Sequence, residues 1–229
     1  MNKTALITGA SSGIGYELAQ IFAAEGYNLV LVARSTEKLT EIKHNLENQH
    51  QITVYNITKD LSVPSSANEI YNELANAGKK IDVLVNNAGF GDFGEFYNSD
   101  INKLHNMIEL NINTLTKMTR LFLPQMIERK SGKILNIASL GSFQPGPLMA
   151  VYYASKAYVL SFSEAISREL KNSGVTVTAV CPGPTKTKFT QAANLGMSGL
   201  FVNLHIASAH SVANFAYKKM QKGKVVAVP

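Results

Sequence analysis

Short apolar runs alternate along the chain with longer segments in which apolar residues recur every three or four positions. The runs are TALI, NLVLVA, ITVYNI, IDVLVNN, KILNIAS, VTVTAVC and VVAV. Short runs rich in β-branched residues predict strands, and the segments between most of them predict helices. This alternation predicts βαβ units with right-handed crossovers. The expected fold is therefore α/β: a doubly wound, Rossmann-like sheet of seven parallel strands with helices on both faces.

Two long helical segments, residues 101–128 and 150–171, bracket the fifth predicted strand. Between the sixth and seventh strands, residues 184–211 contain large apolar side chains without a clean period. Two interpretations of this segment stay open, a substrate lid and a pair of packed helices. The sequence contains no linker or internal repeat, so residues 1–229 are predicted to form one domain.

The composition and charge do not favour a nucleic-acid-binding protein. Apolar residues make up 45% of the chain and charged residues 17%, against about 25% charged in an average soluble domain. The net charge is +6, but no run reaches the about five like charges that mark a binding tail. We interpret the charge as a solvated surface with an anionic small ligand. The basic stretch YKKMQKGK, residues 217–224, is a minor candidate for membrane contact.

The sequence indicates neither a metal site nor a secreted protein. The single cysteine, Cys181, excludes an internal disulfide, and the five histidines show no metal-ligand spacing. No charged and apolar leader precedes the first strand, and no apolar run approaches the roughly 20 residues of a membrane-spanning helix. The expectation is a cytoplasmic protein without a membrane span or a metal.

Three glycines lie in the stretch TGASSGIG, residues 8–15, where the first predicted strand meets the first helix. Glycine tolerates positive φ and close backbone approach. These properties allow a tight turn at Gly9, close approach of a phosphate at Gly13 and tight packing of the helix at Gly15. The N–H groups at the start of that helix then face the anion. The loop predicts a pyrophosphate site, with an ordinary glycine-rich turn as the alternative.

The residue that ends the second strand of such a fold meets the adenosine ribose of a bound dinucleotide. An acid there favours NAD, and an arginine favours NADP. The stretch LVLVARS places Arg34 at this point and offers no acid. The sequence therefore predicts NADP(H) as the cofactor, with an ordinary surface arginine as the alternative.

A tyrosine and a lysine share a helix face in VYYASKAYV, where Tyr152 lies four residues before Lys156. A nearby ammonium lowers the pKa of a tyrosine from about 10, so the pair could exchange protons near neutral pH. Tyr153 is three residues from Lys156, so the spacing does not decide between the two tyrosines. Packing is the alternative for such a pair.

Taken together, the motifs resemble the short-chain dehydrogenase/reductase family in its one-domain form. They follow one another over nearly the whole chain: TGASSGIG, KDLS, NNAG, LNIN, NIAS, Tyr152-x-x-x-Lys156 and PGPTKT. The resemblance implies an NADP(H)-dependent oxidoreductase that interconverts a carbonyl and a secondary or primary alcohol. It also implies a homodimer or homotetramer packed through the two long helices.

The resemblance gives four residues a catalytic role. Tyr152, rather than Tyr153, would donate the proton in reduction and accept it in oxidation. Lys156 would lower the pKa of that tyrosine and bind the nicotinamide ribose. Ser139 would polarise the substrate carbonyl, and Asn111 would complete a water-linked proton relay.

The same resemblance implies a set of residues around the cofactor, from the phosphate loop through the adenine end to the nicotinamide end. They are Gly9, Ser11, Ser12, Gly13, Ile14, Gly15, Arg34, Ser35, Asp60, Leu61, Asn87, Ala88, Gly89, Tyr152, Lys156, Pro182, Gly183, Thr185 and Thr187. A helix N-terminal acid is the alternative interpretation of Asp60.

The loops beyond the carboxyl ends of the strands should contact the substrate, and here they are apolar. Their large apolar side chains are Phe93, Phe96, Phe143, Leu148, Met149 and Phe189. These residues predict a hydrophobic ketone or aldehyde as substrate, with packing of the loops as the alternative for any one of them. Two other functions stay open: a 3-oxoacyl thioester reductase and a catalytically silent, cofactor-sensing binding protein.

Overall fold

The computed structural model describes residues 2–187 and 206–229. The strands are β1 (Thr4–Thr8), β2 (Asn28–Ala33), β3 (Val54–Thr58), β4 (Val83–Asn86), β5 (Gly132–Ile137), β6 (Val175–Val180), β7 (Thr185–Lys186), β8 (Ala207–Ser208) and β9 (Val226–Ala227). Seven of them form a parallel sheet in the order β3-β2-β1-β4-β5-β6-β9, and β7 pairs with β8. The order reverses between β1 and β4, where such a sheet opens a crevice at the carboxyl ends of its strands.

Helices connect most of these strands: α1 (Gly13–Ala24), α2 (Thr36–Gln49), α3 (Ser66–Asn76), α4 (Ile101–Ile108), α5 (Leu115–Glu128), α6 (Ala150–Glu169) and α7 (Ala209–Gln221). A π turn, Glu109–Thr114, joins α4 to α5. Within the described ranges, no helix is long and apolar enough to cross a membrane. Nor do the His, Cys, Asp and Glu side chains of these ranges gather in groups of three that could hold a metal ion.

The fold prediction is confirmed, since all seven apolar runs are strands of the parallel sheet. Two details differ. The predicted helix 101–128 is interrupted by the π turn, and β7 and β8 are too short to leave an apolar pattern. Of the segment 184–211, predicted as a lid or as a helix pair, residues 188–205 lie outside the described residues.

Both faces of the sheet are buried because successive side chains of a strand point to opposite faces. Ile7 lies in a buried cluster with Phe22 of α1 and with residues of α2 and α7. Its neighbour Leu6 lies in a second cluster with Ile70 of α3 and Phe122 of α5. Packing on both faces fixes the position of each strand in the sheet. The polar residues that follow the strands are therefore held close together at the carboxyl edge.

Candidate active site

The glycine loop between β1 and α1 is shaped by contacts that leave no room for side chains. Gly9 and Gly13 have φ of +67° and +58°, in the left-handed region that favours glycine. A Cβ on Gly9 would lie 2.8 Å from Asn87 Nδ2, and a Cβ on Gly15 would overlap the Gly9 carbonyl oxygen. The surrounding backbone therefore requires the turn at Gly9 and the close packing at Gly15.

The start of α1 offers unpaired backbone donors to an anion. Ser11, Ser12 and Ile14 are half-buried beside it, and the side chain of the N-cap residue Ser12 makes no capping hydrogen bond. The first N–H groups of a helix lack partners within the helix, and the dipole there favours negative charge. A Cβ on Gly13 would lie 3.0 Å from Thr187 Cγ2, so the segment after β6 borders this loop. The geometry fits a phosphate group.

Thr8, which the sequence analysis did not single out, ties the glycine loop to the segment after β4. Its Oγ1 donates to the Val85 carbonyl at 3.1 Å and accepts from the N–H groups of Asn87 and Ala88, both at 3.0 Å. Asn87 Nδ2 donates to the carbonyl oxygens of Thr8 and Gly9 at 2.9 and 3.3 Å. The sequence signal that could have identified Thr8 is a hydroxyl residue at the last position of β1, directly before the glycine loop.

Arg34 and Asp60 lie near each other at the ends of β2 and β3. Both are exposed. Burial raises the pKa of the Asp60 carboxyl, but hydrogen bonds from Ser62 and the charge of Arg34 outweigh it and hold that pKa below its ordinary value. Asp60 accepts from the N–H and Oγ of Ser62 at 2.9 and 2.7 Å. Its bonds are therefore made within this turn, and not at the start of α3, which disfavours the helix-acid alternative.

Ser35 and Leu61 border the same region but are engaged in holding the backbone. Ser35 caps α2: its Oγ accepts from the Lys38 N–H at 3.4 Å and donates to Glu37 at 3.1 Å. Leu61 is buried, and its carbonyl accepts from Thr114 Oγ1 at 2.7 Å. These hydrogen bonds restrict the freedom of Ser35, one of the predicted cofactor residues, to contact a ligand.

Ser139, two residues after β5, and Tyr152, in the first turn of α6, lie side by side. Their side chains are hydrogen-bonded to each other, and Ser139 Oγ also accepts from the Gly141 N–H at 3.0 Å. The ring of Tyr153 instead fills the space where a Cβ of Gly146 would stand. Of the two tyrosines that the spacing left open, the structure brings Tyr152 to the serine.

Lys156 lies beneath these two residues. It is only 6% exposed, its Nζ donates to the Ile137 carbonyl at 2.7 Å, and the Nζ is 5.9 Å from the centre of the Tyr152 ring. Burial lowers the pKa of Lys156 from 10.5 to about 8. The residue is therefore close to its titration point in weakly alkaline solution.

The structure corrects the expected direction of the tyrosine pKa. Burial raises the pKa of Tyr152 to about 12, because the hydrogen bond with Ser139, which lowers it, is the smaller effect. The sequence predicted a lowered value from the lysine alone and could not include burial. The phenol of Tyr152 is consequently protonated at neutral pH.

Asn111 is held by the π turn between the loop after β4 and α6. It is 2% exposed. Its Nδ2 donates to the Phe90 carbonyl at 2.9 Å and to Ser155 Oγ at 3.0 Å, and its Oδ1 accepts from the Phe90 N–H at 3.2 Å. Ser155 Oγ in turn donates to the Tyr152 carbonyl at 2.7 Å. Ser155 was not predicted, and no sequence pattern marks it.

Gly89 provides open space between these groups. A Cβ on Gly89 would lie 3.0 Å from Asn111 Oδ1 and 3.5 Å from Lys156 Nζ. Asn111 and Lys156, far apart in the chain, therefore border the same glycine at the end of β4. A flat ligand group could approach the backbone here without meeting a side chain.

The segment after β6 closes the other side of the crevice. The Pro182 carbonyl accepts from the Leu140 N–H at 2.9 Å, and a Cβ on Gly183 would lie 3.1 Å from Leu140 Cδ1. Thr185 Oγ1 donates to the Gly183 carbonyl at 2.9 Å. With Thr187 against Gly13, this segment runs from Leu140, the neighbour of Ser139, to the glycine loop.

Some of the apolar residues that were predicted to contact the substrate are packed in the structure, and others are exposed to solvent. Phe93 packs against Met149, as Tyr152 does, and Met149 is 8% exposed. Phe96 and Leu148 are 64% and 43% exposed. Phe143 is also open, at 54%, and Phe189 lies outside the described residues. The mouth of the crevice beside Tyr152 is thus apolar and exposed.

The chain is similar to a known family in sequence. The family model for short chain dehydrogenase matches residues 3–198. A protein of Danio rerio named very-long-chain 3-oxoacyl-CoA reductase-B is 36% identical over 197 residues, which are 83% of this chain and 62% of the relative. The chain thus spans less than two thirds of the length of this relative.

Solved structures agree with the sequence match. A short-chain dehydrogenase from Sphingobium yanoikuyae in complex with NADPH superimposes with a TM-score of 0.90 at 32% identity, covering 99% of this chain and 87% of that one. The bulky-bulky ketone specific alcohol dehydrogenase from Comamonas testosteroni gives 0.87 at 30% identity, covering 99% and 86%. The family model, these likenesses and the arrangement of Ser139, Tyr152 and Lys156 agree. The chain belongs to the short-chain dehydrogenase/reductase family.

Proposed function

We propose that this protein is an NADP(H)-dependent oxidoreductase that interconverts a carbonyl and a secondary or primary alcohol, and that it reduces an apolar ketone or aldehyde. The observation that carries the proposal is the convergence of Ser139, Tyr152 and Lys156, with Asn111 and Lys156 both bordering Gly89. A protein that only sensed a nucleotide would need the glycine loop but not these proton-transfer groups. This argues against the silent binding protein.

Each side chain of the site has one task in reduction. Tyr152 gives its proton to the substrate oxygen, since a pKa of about 12 keeps the phenol protonated at neutral pH. Ser139 donates a hydrogen bond to the negative charge that grows on that oxygen. The Lys156 ammonium, present below its pKa of about 8, stabilises the phenolate that remains. The cofactor supplies the hydride when it is bound.

The residues present fit NADP(H). The uncapped start of α1 and the glycine loop suit the pyrophosphate, Gly89 leaves space beside Lys156 for the nicotinamide ribose, and Arg34 stands exposed where a 2′-phosphate would lie. A charge-assisted bond of this kind changes affinity by on the order of ten- to a hundredfold.

Arg34→Ala tests the choice of cofactor. We expect it to lower the ratio of NADPH to NADH affinity about tenfold or more, while Lys38→Ala, which removes an exposed cation of α2, leaves the ratio unchanged. Isothermal titration with both cofactors measures it. An unchanged ratio in Arg34→Ala would refute the NADP preference.

The apolar mouth supports a hydrophobic substrate, and the relatives suggest two kinds. The Comamonas testosteroni structure is described as specific for bulky-bulky ketones, and the Danio rerio relative is named a very-long-chain 3-oxoacyl-CoA reductase. The second name favours a 3-oxoacyl thioester as the alternative substrate. Both substrates present an uncharged carbonyl to Tyr152.

The first experiment is NADPH consumption with a panel of apolar ketones, aldehydes, diketones and 3-oxoacyl thioesters. Tyr152→Phe should lower turnover by about a hundredfold or more and leave NADPH binding nearly intact. Tyr153→Phe is the matched control and should stay active, because the Tyr153 ring packs on Gly146. Full activity in Tyr152→Phe, or no turnover of any panel member by the wild type, would contradict the proposal.

We also propose a homo-oligomer that packs through α5 and α6. Tyr158 of α6 is exposed, stacks on Phe162 with ring centres 5.7 Å apart, and shares a 2.9 Å hydrogen bond with Thr116 of α5. This partly apolar surface supports association through the two helices. A monomer by light scattering at micromolar concentration would refute it.

A further inference from the structure

A cleft opens beside Tyr152 between the loop after β4, α4 and the start of α6. Its apolar lining includes Phe96, Leu104, Met107, Leu148 and Val151. Asp92 is the one charged side chain that lines this cleft in the part of the chain that the structure describes. The family motifs do not include Asp92, and the catalytic site does not use it.

We propose that Asp92 determines substrate specificity, by making the cleft accept carbonyl compounds that are uncharged beside the reacting group and reject 2-oxo acids. The inference rests on the proposed carbonyl reductase activity. A carboxylate accepts hydrogen bonds and donates none, so it offers nothing to a second carboxylate. A like charge in the binding cleft is an effective way to exclude a competing charged substrate.

Asp92 has a counter-ion that does not line the cleft. Lys103 Nζ, from α4, lies 2.5 Å from Asp92 Oδ1. The aspartate side chain is 14% exposed and the lysine side chain 32%, and Lys103 does not line the cleft. A substrate in the cleft therefore meets the carboxylate before it meets the ammonium.

The loop that carries Asp92 is anchored by the two residues that follow it. The Gly94 N–H donates to the Leu148 carbonyl at 2.9 Å, and Phe93 packs against Met149, as Tyr152 does. Asp92 thus directly precedes a residue that packs on the same methionine as Tyr152. Because Asp92 and Tyr152 line the same cleft, the charge of Asp92 acts on the part of the substrate that lies near the reacting carbonyl.

The test compares benzoylformate, an aryl 2-oxo acid, with its uncharged ethyl ester. The wild type should reduce the ester and disfavour the acid. Asp92→Asn removes the repulsion and leaves Lys103 unpaired, so kcat/KM for the acid should rise about tenfold and that for the ester should change less than about twofold. Lys103→Gln should disfavour the acid further.

Lys80→Gln is the matched control, since it removes the cation of the Lys80–Asp82 pair, 3.5 Å apart, which lies before the amino end of β4, whereas Asp92 follows the carboxyl end of that strand. It should leave the acid-to-ester ratio unchanged. An unchanged ratio in Asp92→Asn, with the ester still reduced, would overturn this inference alone. No reduction of the ester by the wild type would also overturn it, and the wider carbonyl panel then shows whether the proposed function fails as well.

Discussion

The two sides of the crevice differ in how their shape is held. On the cofactor side, Gly9, Gly15 and Asn87 fit so closely that an added Cβ at either glycine would meet backbone or amide atoms. On the substrate side, Phe96 and Tyr97 are 64% and 78% exposed. One side is fixed by buried contacts, and the other can change its side chains at little cost to the fold. A site of this kind can keep one cofactor while its substrate varies.

The sharpest way to break the cofactor side is Gly15→Ala. The new Cβ would overlap the Gly9 carbonyl oxygen and Asn87 Nδ2, so we expect a loss of about 3 kcal/mol in the free energy of unfolding together with weaker NADPH binding. Urea unfolding and NADPH titration measure the two effects.

Gly26→Ala is the control for this change. Gly26 has φ of +76° but no atom within 4 Å of an added Cβ, so only the backbone cost of about 1 kcal/mol applies, and NADPH binding should not change. Equal losses of NADPH affinity in the two variants would show that the close packing at Gly15 does not hold the loop.

Thr8→Val tests the link between the two strand ends. The valine keeps the shape but leaves the N–H groups of Asn87 and Ala88 without the acceptor that they share at 3.0 Å. We expect a loss of about 2 kcal/mol in the free energy of unfolding, measured in urea. Thr8→Ser keeps the hydroxyl and should recover most of it; a stable Thr8→Val protein would refute the role of the link.

The sequence was sufficient to predict the seven-stranded sheet, because each of its buried strands is a short apolar run that can be recognised by itself. It was not sufficient for the π turn. Ile101 to Glu128 has one continuous helical pattern, and the extra residue that turns Asn111 towards the crevice carries no propensity of its own.

The sequence proposed the motif residues of the candidate site and missed the properties that depend on burial or on contacts between distant segments. Tyr152 and Lys156 follow from their spacing and the family pattern, but their pKa values of about 12 and about 8 reflect burial, which the motif does not encode. Thr8 and Ser155 act through partners far along the chain. No local pattern identifies such partners.

The pH dependence of catalysis should reflect the loss of the proton from the Lys156 ammonium. Burial lowers its pKa to about 8, so the ammonium is present below that pH and is lost above it. The Tyr152 phenol and the Cys181 thiol, which also face it, have their pKa values raised by burial to about 12 and about 11, and both stay protonated below pH 10.

We therefore expect kcat/KM for NADPH in the reductive direction to be level near pH 7 and to fall about tenfold per pH unit above about 8, which is about 1.4 kcal/mol per unit. Steady-state rates between pH 6 and 10 give the profile. A level profile up to pH 10 would contradict the assignment of the cation to Lys156.

The smallest effect on stability and the clearest one on selectivity should come from the substrate side. Phe96→Ala removes a ring that is 64% exposed at the mouth of the crevice, so the free energy of unfolding should change by less than about 0.5 kcal/mol. The same change removes apolar area that a hydrophobic ketone would cover, and KM for that ketone should rise about threefold. NADPH affinity should not change, because the ring lies away from the glycine loop. If Phe96→Ala instead destabilised the fold as much as Thr8→Val, the substrate side would be as fixed as the cofactor side, and the difference between them would not account for selectivity.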